Sequence, residues 1–264
     1  MGESLWLFPR LSMARFSSLP PALRQALAAG RLLKVIAGLD NRERASVLAI
    51  ARAAAAGGAD LVDIACEPEL VRAVLAAAPG LPVCVSAVEP ELFPAAVAAG
   101  AVMVEIGNFD SFYPQGRVFG AAEVLDLARR TRELLPEVVL SVTVPHVLPL
   151  DQQEQLAQAL QAAGADLIQT EGGTSARPFS PGTLGLIEKA APTLAAAHAI
   201  SRVVDLPVLC ASGLSSVTVP LALAAGAAGV GVGSAVNRLQ DELAMVAVVR
   251  SLREATGQPL VVRS

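Results

Sequence analysis

Short runs of β-branched and aliphatic residues alternate along this chain with longer stretches whose apolar residues recur every three or four positions. The short runs have the length of buried strands, and the long stretches have the period of amphipathic helices. The unit repeats: an apolar run, an Ala-rich helix, Ala-Ala-Gly or a close variant, then the next run. The endings are Gly57-Gly58, Gly100, Gly164 and Gly226. Glycine adopts the left-handed conformation that terminates a helix.

This pattern predicts eight strands, at 32–39, 60–66, 82–88, 101–107, 138–144, 166–171, 207–212 and 228–233. Helices fill the gaps at about 42–57, 68–78, 90–99, 121–135, 151–163, 183–204, 215–225 and 240–255. Pro68, Pro90 and Pro149 sit near helix starts, where a missing N–H costs least. Asn41 and Ser215 are candidate N-caps. An earlier stretch, 20–29, reads as an extra helix that covers the bottom of the sheet. Alternating strands and helices imply a parallel sheet with right-handed crossovers. An open doubly wound sheet competes with a closed barrel, and eight evenly spaced units favour closure. The 264 residues match one barrel, for which about 250 is typical. The expected fold is therefore an α/β, phosphate-binding type (β/α)8 TIM barrel with an extra N-terminal helix. Residues 19–264 form the single domain, and residues 1–18 read as a flexible extension whose apolar stretch is short for a secretory signal.

Side chains alternate along a strand, so one parity meets the helices and the other fills the barrel. Choosing the apolar parity as outward places Lys34, Asp63, Glu105, Gln169 and Glu171 inside, with Ser141 and Thr143. Unpaired buried charges are costly, so these must pair or reach solvent at the mouth. A lysine among carboxylates can work as an acid, a base or a Schiff-base nucleophile. The same residues also fit a structural ion-pair network. Lys34, Asp63, Glu105 and Glu171 are the catalytic candidates.

Strand seven ends in Ser212-Gly213, and strand eight reads Gly229-Val230-Gly231-Val232-Gly233-Ser234. Loops after these strands commonly hold a phosphate in such barrels. Glycines allow close approach of backbone N–H groups, and Ser212 and Ser234 add hydroxyls. The competing reading is that small residues only let a helix pack closely. The loop 108–120 follows strand four and carries Asn108, Phe109, Asp110, Phe112, Tyr113, Arg117 and Phe119. A long aromatic loop at this face suits a lid, a binding surface or an oligomer contact. Asn108, Thr143, His146, Gln169 and Arg177 are candidate substrate contacts, with Arg177 as a second anion contact in the loop 172–182.

Composition narrows the function. Net charge is −4 with no basic stripe, which argues against nucleic acid. No apolar run reaches about 18 residues without a break, which argues against a membrane span. Cys66, Cys84 and Cys210 are dispersed and odd in number. Without a CxxC or Cys/His cluster no metal is expected, and a reducing compartment is.

Several runs carry a family resemblance: Lys34-Val35-Ile36-Ala37-Gly38-Leu39, Asp63-Ile64-Ala65, Cys84-Val85-Ser86, Glu105-Ile106-Gly107-Asn108-Phe109-Asp110, Gln169-Thr170-Glu171-Gly172 and Ala211-Ser212-Gly213-Leu214. From about Leu32 to Leu239 the chain resembles a conserved cyanobacterial and plastid family, the hypothetical chloroplast reading frame 23, a domain of unknown function. The resemblance implies a cyanobacterial cytosol or plastid stroma, and it assigns no catalytic residues. More distantly, strands seven and eight resemble the phosphate end of FMN-dependent barrels and of inosine-monophosphate-dehydrogenase-like barrels, although the cysteine loop of the latter is missing. Leu39-Asp40 and Asp63 resemble acids of the orotidine-monophosphate-decarboxylase group, but Val83–Val88 lacks that group's Asp-x-Lys-x-x-Asp motif. Three expectations follow. The first is a lyase, isomerase or synthase acting on a phosphorylated small molecule. The second is an oxidoreductase with FMN as cofactor. The third is a metabolite sensor or partner-binding protein, whose aromatic loop would dock a partner or a second copy in a homo-oligomer.

Overall fold

The computed structural model describes residues 14–257. Its strands are β1 (Leu32–Gly38), β2 (Leu61–Ala65), β3 (Val83–Ala87), β4 (Met103–Ile106), β5 (Val139–Thr143), β6 (Leu167–Gln169), β7 (Val208–Ala211) and β8 (Gly229–Val232). They pair in parallel, in sequence order, and β8 closes on β1 with Leu33 opposite Val230 and Val35 opposite Val232. The predicted barrel is therefore closed, and the open sheet is excluded. Around it stand α1 (Pro21–Ala28), α2 (Arg44–Gly57), α3 (Pro68–Ala77), α4 (Phe93–Ala98), α5 (Ala121–Leu134), α6 (Leu150–Ala162), α7 (Gly182–Ile200), α8 (Val219–Ala224), α9 (Ser234–Asn237) and α10 (Glu242–Gly257). None of the described helices is long and apolar enough to cross a membrane.

Strand alternation divides the apolar core in two. Outward residues such as Val35, Val62, Val85, Val104, Val142 and Ile168 are buried under the helices. Inward residues at the strand starts, Leu32, Leu61, Met103, Val139, Leu167 and Leu209, form a second cluster. α1 closes that end with Leu23 and Leu27, joined by Phe16 and Leu19, as the stretch 20–29 predicted. Each such aliphatic or aromatic side chain contributes roughly 1.5–3 kcal/mol by leaving water. The charged interior thus begins above an apolar plug, away from the bottom of the barrel.

Local details differ from expectation at three places. Glu43, not Asn41, caps α2, accepting from the N–H groups of Ala45 and Ser46. Asn41 instead donates to the Ala37 carbonyl and to Ser46 Oγ. Ser215 does not cap α8, which starts at Val219; its N–H is taken by Thr218 Oγ1. Of the expected N-terminal extension, residues 1–13 lie outside the described residues. Within the rest, Arg15 pairs with the buried Asp166 at 2.8 Å and Phe16 is buried. Asp166 also takes Arg132 at 2.8 Å and the Leu140 N–H at 2.9 Å. The three cysteines are free and buried.

Gly58 shows why the helix-ending glycines are there. It sits at φ 86° and its N–H closes the last turn of α2. A side chain at that angle costs about 1 kcal/mol or more.

Candidate functional site

Two polar groups stand at the upper end of the barrel. The first is wholly buried. Lys34 on β1, Asp63 on β2, Ser86 on β3, Glu105 on β4 and Ser141 on β5 all point inward, each with essentially no exposure. Lys34 Nζ lies 2.6 Å from Glu105 Oε2, which also accepts from Ser141 Oγ at 2.8 Å. Glu105 Oε1 accepts from Gln169 Nε2 at 2.6 Å. Asp63 accepts from Ser86 Oγ at 2.6 Å and from Asn108 Nδ2 at 3.1 Å. The carboxylates therefore have donors on both oxygens, which offsets the cost of burying them.

Burial alone would lower the Lys34 ammonium, but Glu105 and Asp63 outweigh it and hold the group above its usual range. Burial pushes the Asp63 carboxyl up to about 6, with Lys34 pulling against it. A lysine kept protonated is a poor nucleophile.

The second group lies higher. Glu171 follows β6, is 3% exposed, and its Oε1 accepts from the Tyr113 hydroxyl and from the backbone N–H of His146 at 3.1 Å. His146 Nδ1 is 3.1 Å from that oxygen and 3.8 Å from Asp110 Oδ1. Burial raises the Glu171 carboxyl. Asp110, His146 and Glu171 bring one ligand atom each to within 4.8 Å of one another. The dispersed sequence had offered no metal spacing. The tertiary structure assembles this trio from three separate loops.

A pocket at the mouth joins the parts. Its lining includes Asn108, Thr143 and Gln169, the acids Asp110 and Glu171, and Ser212, Gly213, Gly233 and Ser234. No lysine, arginine or aromatic residue lines it. Among the described residues, only Asn108 (φ 61°) and Ser212 (φ 75°) adopt a left-handed backbone without being glycine, and both line the pocket. Such strain is held by its surroundings and clusters at functional sites. Asn108 is held by Asp63, Ser86 and Glu105. Ser212 donates to Asp110 Oδ2 at 2.8 Å and accepts from the Thr174 N–H at 2.9 Å. Next to it, a Cβ on Gly213 would meet Gly173 Cα at 2.6 Å. This part of the mouth is therefore formed by backbone in close contact.

The structure brings Ser212, Gly213, Gly233 and Ser234 together with Asn108, Thr143, Gln169 and Glu171 around one pocket. It differs on four points. Lys34, Asp63 and Glu105 lie beneath the pocket and are not among its lining residues. Glu171 does not join them and belongs to the upper group. Arg177 is exposed, and neither it nor His146 is among the lining residues. The aromatic loop does not present its rings outward: Phe109 and Phe119 are buried 4.5 Å apart, with Phe112 against Phe119 at 5.3 Å and Arg117 over it.

Sequence reasoning passed over Ser86, Asp110 and Tyr113 as site residues. Ser86 was within reach, because Val83 and Val85 face outward and leave Cys84 and Ser86 inside. Asp110 and Tyr113 stood out only through the length and aromatic content of their loop and the family run that ends at Asp110.

A model of the family described as "Protein of unknown function (DUF561)" matches residues 19–261. The chain belongs to this family. Relatives of this DUF561 chain include the uncharacterized protein ycf23 of Cyanophora paradoxa, 44% identical over 222 residues that span 84% of this chain and 91% of the relative. The ycf23 protein of Porphyra purpurea is 37% identical over 223 residues, 84% of each. Among solved structures, 3-hexulose-6-phosphate synthase aligns at TM-score 0.60 and 20% identity, over 85% of this chain and 99% of that one. (S)-3-O-geranylgeranylglyceryl phosphate synthase from Thermoplasma acidophilum, in complex with sn-glycerol-1-phosphate, aligns at 0.58 and 13%, over 90% and 98%. At these identities the DUF561 chain shares their fold.

Proposed function

We propose that the protein is an enzyme of the lyase, isomerase or synthase type acting on a phosphorylated small molecule in the mouth pocket. The observation that carries this reading is the lining itself. Backbone-rich loops after β7 and β8 stand across one cavity from the carboxyl of Glu171, whose Oε2 has no hydrogen-bond partner. Ser212, Gly213, Gly233 and Ser234 offer N–H and hydroxyl donors to a phosphate, the use these loops have in many such barrels. Asn108, Thr143 and Gln169 orient the remainder of the substrate, and their amides and hydroxyl are themselves fixed by the buried cluster. Lys34 acts from below by anchoring the Glu105 carboxylate, and through it Gln169, as a positioning residue. The likeness to synthases named for phosphorylated compounds supports the same reading.

Native mass spectrometry of the purified chain tests this. The expected result is a retained phosphorylated compound, lost in Ser234→Glu, which places a negative charge in the cradle. A retained ligand without phosphate, or equal retention by Ser234→Glu, refutes it.

A further inference from the structure

The pocket has a charge problem that its own side chains do not solve. Its lining contains two acids and no lysine or arginine, yet an anionic substrate needs positive charge close by. The three groups at its edge offer a solution. His146 Nδ1 faces Asp110 Oδ1 at 3.8 Å and Glu171 Oε1 at 3.1 Å. Ligand atoms around one divalent ion at about 2.1 Å stand roughly 3–3.5 Å apart, and one ligand atom from each of the three residues lies within 4.8 Å of the others, so a modest side-chain adjustment brings them onto one ion.

A second observation is independent of that spacing. Among the described residues, Glu171 Oε2 and Asp110 Oδ1 are buried polar atoms without a hydrogen-bond partner. Glu171 is 3% exposed and lines the pocket. A buried carboxylate oxygen left unpartnered is costly, and two of them beside one imidazole define a place where a cation lowers the free energy.

We propose that Asp110, His146 and Glu171 form a divalent-cation site at the mouth of the barrel, with remaining coordination positions open to the pocket. One imidazole and two carboxylates suit Mn2+, Fe2+ or Zn2+. The surroundings fit that use. The Tyr113 hydroxyl and the His146 backbone N–H donate to Glu171 Oε1 and fix its carboxylate plane. Ser212 Oγ donates to Asp110 Oδ2 and leaves Oδ1 for the ion. Hydrogen-bonded ligands of this kind are the rule in metal sites. The Asp110–Ser212 bond also ties the cation site to the loop after β7, so metal and phosphate donors meet in one cavity. The ligand geometry stands without the phosphate reading; the ion's role as the phosphate's counter-charge rests on it.

The test uses the full chain and Mn2+ as probe, followed by electron paramagnetic resonance. One equivalent of Mn2+ should bind, with a nitrogen coupling that disappears in His146→Asn. Glu171→Gln should weaken binding by on the order of 100-fold, and Tyr113→Phe by about 10-fold, the size of an outer-partner loss. Asp110 is partly exposed, so Asp110→Asn remains usable if Glu171→Gln does not fold. Its affinity should fall as steeply. Binding that is unchanged in Asp110→Asn and His146→Asn overturns the site, as does a chain that takes up no Mn2+, Fe2+ or Zn2+. Inorganic phosphate separates the two readings. Mn2+ bound without any effect of phosphate upholds the cation site and removes the anion cradle. Phosphate bound by a chain that takes up no metal overturns the cation site and leaves the cradle.

Discussion

Lys34 Nζ and Glu105 Oε2 lie 2.6 Å apart inside the barrel, and neither side chain reaches solvent. The pair is supported by Ser141 and Gln169 on the glutamate. It sits below the pocket and lines none of it, which under the proposed function makes it a positioning pair. The sequence motif alone suited a Schiff-base nucleophile equally well.

Lys34→Met takes the ammonium away from Glu105 in a dry interior. The expected cost is about 3–5 kcal/mol, read from urea unfolding. Lys34→Met/Glu105→Leu should recover part of it, because the carboxyl left without its partner is gone. Full stability in the single variant would mean that Glu105 has another counter-charge.

The buried Asp63 carboxyl titrates at about 6, against 3.8 in the open chain. Between these values the folded state binds more protons than the unfolded state, so stability from this group rises as pH falls through 6 and is complete below about 4. Above 6 the ionised carboxylate is a constant cost. Asp63→Asn removes that slope. The stability difference between the variant and the parent should therefore shift in favour of the variant from pH 4.5 to 7.5. A difference independent of pH would contradict the assignment.

Gly213 has φ 75°, and an added Cβ would lie 2.6 Å from Gly173 Cα. The neighbouring atom is backbone and has little room to give. Gly213→Ala should cost about 1–3 kcal/mol and weaken any phosphate bound at the mouth, measured by thermal unfolding and by phosphate titration. Normal behaviour in both would show that the two loops part easily.

Asp166 collects Arg15, Arg132 and the Leu140 N–H below the barrel, far along the strands from the pocket. Asp166→Ala should destabilise by about 3 kcal/mol, moderated because both arginines keep partial access to water. Retained small molecules and bound Mn2+ should be unchanged. Loss of either would tie the bottom of the barrel to its mouth.

The eight strands could be read from the chain because their signal is local: β-branched runs, helix period and glycine endings repeat within each unit. Parity along each strand then sent Lys34, Asp63, Glu105 and Gln169 inward, since side chains alternate whatever the tertiary context. Parity does not report depth. Only closure of the barrel placed Lys34 and Glu105 beneath the pocket and Glu171 at its edge. Arg177 and the rings of Phe109 and Phe119 sit on loops, whose course depends on long-range packing and leaves no periodic trace. The sequence by itself thus determined the barrel, its inward residues and the glycine-rich strand ends at β7 and β8. The tertiary structure decided which charges pair, which face the cavity, and that Asp110, His146 and Glu171 meet at all. Those three positions are distant along the chain, and only packing turns such distances into ångströms.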